Sequence, residues 1–200
     1  MNNVEVSIPA WLFDNEVFDK SWIDKLVDYC EENVPLEDAH IGPTEQQNSK
    51  DNNVRTTKIG WLRADRSDFE NEVFQILENL FIRYNRDYFN FHIGPYITDV
   101  QYTVYEGDSE AHYDWHVDSW HGLNNKKQDR KLSMTIQLSD KSDYEGGEFE
   151  TDSAFIPISS ATKEKGTMIM FPSYLRHRVK PVTKGIRRSL VVWCEGPNWK

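Results

Sequence analysis

From Tyr96 onward the chain breaks into a series of short apolar stretches, and this series restricts the possible folds more than any other feature. ITDVQYTVYEG, HYDWHVDSW, KLSMTIQLSD, GGEFET, GTMIMFPSYL, HRVKPV and RRSLVVWCEG follow one another, each bounded by Gly, Pro, Asn or Asp. Segments of this length, rich in β-branched and aromatic residues and separated by turn formers, read as strands. Seven or so of them in one run predict two antiparallel sheets, and the jelly roll is the architecture that encloses a ligand between two such sheets. The composition agrees, being lean in aliphatics but 13% aromatic, which suits a β-rich fold around a ring-lined cavity.

Two helices are predicted ahead of the strands. Between Asp14 and about Asn33 the residues Val17, Phe18, Trp22, Ile23, Leu26, Val27 and Cys30 recur at three- and four-residue intervals, and Pro35 ends the pattern. Residues 36–53 are crowded with Gly, Pro, Asn and Ser and read as a mobile loop, with His40 solvated in it. Val54–Leu62 reads as a short strand. Ser67-x-x-Glu70 is a capping-box sequence in front of a second helix through Val73, Phe74, Ile76, Leu77, Leu80, Phe81 and Tyr84. Two hundred residues fit one domain, with 1–95 as helical support and 96–196 as the jelly-roll core. The expected class is therefore mainly β with flanking α, the helices packed on one sheet.

Charge and cysteine usage narrow the functional classes. A net charge of −10 argues against binding nucleic acid through a general positive field, which needs clustered Lys and Arg. Cys30 and Cys194 read as reduced core thiols. No basic-then-apolar leader opens the sequence and no apolar run is long enough to cross a bilayer. The expectation is a cytoplasmic protein without membrane or nucleic-acid partners, and the Asn-, Asp- and Lys-rich surface suits a bacterial or phage source.

Chemistry enters with two overlapping His-x-Asp pairs, His112-Tyr-Asp114 and His116-Val-Asp118. On a strand, residues two apart project from one face, so either pair can converge on a metal. The apolar Val117 favours the second pair, whereas His112 directly follows the turn-like Glu106–Glu110; this local reading leaves the first pair open. A third ligand is sought on a later strand, and His177 opens one. His92 and His121 read as local turn and loop residues. Two histidines and one carboxylate leave three adjacent positions open on Fe(II), as needed to bind a bidentate co-substrate together with O2. Ligand type alone also permits a catalytic zinc hydrolase, while a closed structural zinc site would need a fourth protein ligand. Arg187 bears on the choice, because an interior guanidinium is costly unless it meets an anion, and a carboxylate is its best partner. Ser189 shares its face and Arg188 points the other way. Trp115, Trp120, Tyr174 and Trp193 lie near the ligand strands as candidate walls of a substrate pocket, and the polar stretch 119–131 is a candidate lid.

The sequence Tyr105…Gly107…Tyr113-x-x-His116-x-Asp118, Arg130-Lys-Leu-Ser133, Leu138-Ser-Asp140, Tyr144-Glu-Gly-Gly-Glu148, Gly166-Thr, Phe171-Pro172, His177-Arg-Val and Pro181-Val-Thr-Lys-Gly-x-Arg187 resembles the Fe(II)/2-oxoglutarate-dependent dioxygenases of the prolyl 4-hydroxylase-like branch over about residues 96–196. The resemblance implies a double-stranded β-helix, with His116, Asp118 and His177 as iron ligands. It implies 2-oxoglutarate and O2 as co-substrates, decarboxylation to succinate and CO2, hydroxylation of a substrate C–H bond, and ascorbate as a candidate accessory. It places Arg187 on the far carboxylate of 2-oxoglutarate, Gln137 as an amide donor to the same group, Tyr105 and Tyr113 along the co-substrate pocket and Trp193 in the pocket wall. The expected substrate is a prolyl residue in a protein or peptide. A free amino acid or small metabolite is the alternative within the same chemistry, and a non-catalytic jelly-roll binding module the alternative outside it.

Overall fold

The computed structural model describes residues 10–40, 51–94, 97–120, 127–152 and 160–199. The chain opens with strand β1 (Leu12–Asp14) and helix α1 (Lys20–Asn33), continues through β2 (Glu37–Asp38) and β3 (Lys58–Leu62), and reaches helix α2 (Asp68–Tyr84). The remaining strands are β4 (Ile97–Glu106), β5 (Tyr113–His116), β6 (Gln128–Gln137), β7 (Tyr144–Gly146), β8 (Phe149–Thr151), β9 (Met168–Pro172), β10 (His177–Val179) and β11 (Val182–Pro197).

Both helices form, with one corrected boundary. Asp19, in extended conformation, holds the N-cap position of α1, so Val17 and Phe18 precede the helix although they continue its apolar spacing. Leu12–Asp14 instead pairs with β9, Leu12 opposite Met170. At α2 the Ser67 hydroxyl accepts from the Glu70 N–H at 3.1 Å, as the capping sequence predicts. The reciprocal half of the box is absent: the buried Glu70 carboxylate accepts from the Arg63 N–H at 2.6 Å and the Tyr29 hydroxyl at 3.1 Å, and pairs with Arg66 at 3.3 Å. Glu70 thereby ties α2 to α1 and to the end of β3. Within the stretch read as a loop, Glu37–Asp38 adds a two-residue edge to β3, and residues 41–50 lie outside the described residues.

The large sheet runs β1-β9-β6-β11-β4-β3-β2, every neighbour antiparallel, with β7 paired to the first residues of β11. A second sheet runs β5-β10-β8. Two predicted strands begin differently from the expectation: β6 starts earlier, at Gln128, and β11 runs unbroken for 16 residues through the turn expected before Arg187. Alternation along the large sheet separates two cores. Val100, Tyr102, Val104, Met134, Ile136, Leu190 and Val192 bury one face against Ile23, Leu26, Leu77 and Phe81 of the helices. Each such fully buried side chain contributes about 1.5–3 kcal/mol relative to exposure. The opposite face, through Tyr105, Ile169, Phe171 and Val182, meets Phe149 and Val179 of the small sheet. This is the expected jelly roll with helices outside one sheet, and it leaves a space between the sheets. Cys30 and Cys194 are free and buried on the helix side. No described helix is long and apolar enough to cross a membrane.

Candidate metal centre and co-substrate pocket

Strands β5 and β10 pair so that His116 and His177 stand directly opposite, with ring centroids 4.2 Å apart. Beyond His116 the strand ends, and the N–H groups of Asp118 and Ser119 both bond the Ser173 carbonyl at 2.9 Å. That turn swings the Asp118 carboxylate back between the imidazoles: its oxygens lie 3.7 Å from His116 Nε2 and 3.7 Å from His177 Nε2. One donor atom from each of the three residues falls within 4.8 Å of the others. Each Nδ1 faces a carbonyl, Asp114 for His116 at 2.7 Å and Leu175 for His177 at 2.9 Å. A proton on each Nδ1 leaves both Nε2 lone pairs turned inward, the tautomer that metal ligation needs.

The surroundings hold these groups in ligand form. Burial, then the neighbouring His177, push His116 down to about 3, so its imidazole is neutral at physiological pH. For Asp118 burial works upward, but His177, His116, Arg130 and the Ser133 hydroxyl outweigh it and keep the carboxyl below its usual range. Ser133 donates to Asp118 Oδ2 at 2.7 Å and touches the Ser173 hydroxyl at 2.9 Å. The Tyr113 ring stacks on His116 at 3.5 Å. The rival pair is used elsewhere: His112 faces Thr56 and backbone carbonyls, and Asp114 is exposed beside Arg178.

A cavity of about 280 Å³ opens above the triad. Arg187 enters it from β11, 4% exposed, with its guanidinium 4.9 Å above the Tyr105 ring and Nη1 donating to Ser189 at 3.4 Å. Among the described residues no carboxylate pairs with it. Gly147, at φ +63°, makes room for this side chain, since a Cβ there would lie 2.9 Å from Arg187 Cδ. Arg188 points the opposite way, as strand alternation predicts, and pairs with Glu31 of α1 at 2.6 Å.

The sequence model of the 2OG-Fe(II) oxygenase superfamily matches residues 100–195, the stretch that carries the triad and Arg187. Over this stretch the chain is of the 2OG-Fe(II) oxygenase type. A PKHD-type hydroxylase of Synechococcus sp. strain CC9902 is 40% identical over 90 residues, covering 42% of this chain and 36% of that protein. One from Teredinibacter turnerae is 36% identical over 85 residues, covering 42% and 37%. The chain thus spans little more than a third of the length of these curated relatives. In fold the chain is similar to a Pseudomonas putida prolyl-4-hydroxylase (TM-score 0.68, 17% identity, 92% of this chain and 91% of that one). It is equally similar to a Trichoplax adhaerens prolyl hydroxylase in complex with a hypoxia inducible factor peptide fragment (TM-score 0.68, 20% identity, 92% and 83%).

The family's Fe(II), 2-oxoglutarate and O2 fit the residues present. The donor set is two neutral imidazoles and one carboxylate, with no fourth ligand in the cluster among the described residues, which leaves positions for a chelating co-substrate. The buried Arg187 awaits an anion. Tyr105, Tyr113, Trp120 and Trp193 all line the cavity. Trp115 does not: one residue before His116, it takes the other face of β5, where its ring lies between Arg176 and Arg178 at 5.0 and 4.7 Å. Tyr174 is likewise elsewhere, exposed and edge-on to Trp199. Gln137 borders a small adjoining pocket with Arg187, but its amide donates to the Tyr144 hydroxyl at 3.0 Å and the Ser139 carbonyl at 3.3 Å. His40 is exposed, as expected, yet stands at the cavity's rim. Of the candidate lid, residues 121–126 lie outside the described residues; its ends are joined where Ser119 and the Trp120 N–H bond Asp129 at 2.9 and 2.7 Å.

Sequence reasoning missed two cavity cations, Arg55 and Arg130. Between Leu132 and Arg130 the β6–β11 register shifts, leaving Lys131 as an extra residue. This bulge turns Arg130 onto the cavity face, whereas simple alternation would put it with Leu132 and Met134 on the helix side. Only the motif Arg130-Lys-Leu-Ser133 signalled it.

Proposed function

We propose that this oxygenase hydroxylates a prolyl residue in a protein or peptide while decarboxylating 2-oxoglutarate to succinate and CO2. The observation that carries the reading is the convergence, on one cavity, of an inward-facing His-Asp-His set and a buried arginine that pairs with no carboxylate among the described residues. Bound Fe(II) would supply the activation of O2. His116, Asp118 and His177 would hold it, with the Asp114 and Leu175 carbonyls and the Ser133 hydroxyl fixing their orientation. Arg187, positioned by Ser189 and Tyr105, would take the far carboxylate of 2-oxoglutarate and so set which end of the co-substrate faces the metal. The aromatic walls, Tyr113, Trp120 and Trp193 among them, would exclude water and give a pyrrolidine ring apolar faces to lie against. A prolyl target is supported by likeness in fold to prolyl hydroxylases, one of them held with a peptide.

Anaerobic addition of Fe(II) and 2-oxoglutarate tests the site directly. A weak visible charge-transfer band is expected, and it should be lost in His116→Ala; no band in the parent chain sinks the proposal. Mass spectrometry of proline-containing peptides from an incubated lysate then tests the target. One added oxygen atom on proline is expected, and products confined to free amino acids or small metabolites would move the assignment to those.

A further inference from the structure

Three guanidinium groups face the cavity, and the co-substrate accounts for one. If 2-oxoglutarate engages the metal with one end and Arg187 with the other, Arg55 and Arg130 remain. Arg55 is 7% exposed, and among the described residues its partners are all neutral: Thr57 Oγ1 at 2.7 Å, Gln101 Oε1 at 2.9 Å and the Tyr113 ring at 4.4 Å. Arg130 lies against Trp120 at 4.3 Å and Trp193 at 3.8 Å. Its Nε is buried without a hydrogen-bond partner, and so is the indole N–H of Trp193. Asp118, Asp99 and Glu195 act on Arg130 through the electric field, but none of them forms an ion pair with it, and the Asp118 carboxylate is turned to the two imidazoles. In both arginines an aromatic ring covers a flat face; Arg55 spends Nε and Nη2 on Thr57 and Gln101, whereas Nε of Arg130 keeps its donor for a planar partner.

We propose that Arg55 and Arg130 form a second anion site that binds a carboxylate of the substrate itself. The inference rests on the functional reading above and names the substrate class it lacked: an acidic one. A neutral peptide carbonyl would satisfy a donor but leave two desolvated cations uncompensated, whereas a carboxylate does both. The placement is also informative. The ring under Arg55 is the one stacked on His116, and Arg130 lines the same cavity as the His-Asp-His set, so both cations flank the metal site. The bound carboxylate therefore sits close to the carbon that reacts. Two sources meet this requirement, the α-carboxylate of a chain-terminal or free residue and the side chain of an Asp or Glu next to the target.

The test uses protein loaded with Mn(II) and saturated with 2-oxoglutarate, which fills the Arg187 site and prevents turnover. N-acetylproline, N-acetylproline amide and N-acetyl-prolyl-glutamate with its α-carboxyl amidated are titrated while tryptophan fluorescence is followed. At least one acid should bind roughly ten- to a hundredfold tighter than the neutral amide. The first acid identifies an α-carboxylate and the second a neighbouring side chain. The difference should close in Arg130→Gln and in Arg55→Gln and persist in part in Arg130→Lys, which keeps the charge. Variants are used only where their 2-oxoglutarate affinity and melting temperature match the parent, and Arg130→Lys provides a second route if a Gln variant does not fold. Equal binding of acids and amide, binding of none, or a difference that survives both Gln variants overturns the anion site. Failure of 2-oxoglutarate itself to bind, measured first, overturns the functional reading and the inference that rests on it.

Discussion

Arg187 and Arg188 are adjacent in sequence and opposite in consequence. Replacing Arg187 by Ala should raise the 2-oxoglutarate concentration for half-maximal succinate release roughly ten- to a hundredfold, the worth of a charge-assisted pair. Arg188→Ala loses an ion pair with the half-exposed Glu31 and should change that value little; equal effects would mean that the strand faces are misassigned. Gly147→Ala imposes a side chain at φ +63° against Arg187, and should weaken 2-oxoglutarate binding while leaving metal affinity unchanged in a binding titration. Ser133→Ala removes the hydroxyl on Asp118 and should instead lower metal affinity about 10–100-fold, read by competition with a chelator. Much of this was legible in the sequence: Arg187 and Ser189 obey the two-residue period of a strand, and the His116-x-Asp118 spacing marked the ligand pair, although a turn beyond the end of β5 is what brings Asp118 to the site. Arg130 was not, because its orientation depends on the bulge at Lys131, and periodicity cannot register an insertion that only the partner strand reveals. Trp115 was misplaced for the opposite reason: proximity to a ligand in sequence was allowed to outweigh alternation.

Among the elements, α2 was the most legible, since its cap and its apolar stripe agree. Ser67→Ala should cost about 1 kcal/mol, a fall in melting temperature of roughly 2–4 °C for a chain of this size, measurable by calorimetry. No change would mean that Glu70 alone anchors this end of the helix. The start of α1 was less legible. Val17 and Phe18 keep the helical spacing, yet the extended Asp19 separates them from the helix, and Leu12–Asp14 gains strand partners in β9 that lie over 150 residues away. Short edges such as β1 and β2 carry too few residues for a pattern. Their existence is decided by the neighbour they find.

Taken as a whole, the chain buries two thiols under the helices, and this gives its stability a pH dependence. Burial pushes Cys30 and Cys194 up to about 12 from an ordinary value of 9.0. The native chain then retains protons that the unfolded chain gives up, so this contribution is intact below pH 9 and is lost as pH rises toward 12. Melting temperature should fall progressively above about pH 9, and the slope should be shallower in Cys30→Ala; an unchanged slope would assign the loss to other groups, such as Tyr84 and Tyr102, whose hydroxyls are also shifted upward. The same architecture has a consequence in time. Strand β11 lies between β4 and β6, reaches β7 as well, and supplies Arg187, Ser189 and Trp193, but it follows all of these partners in the chain. Until it leaves the ribosome, β4 and β6 have no partner between them and the arginine proposed to anchor the co-substrate does not yet exist. On the proposed assignment, a nascent chain presents its three candidate metal ligands before the arginine that would hold 2-oxoglutarate, so closure of the barrel and completion of the site arrive in a single late step.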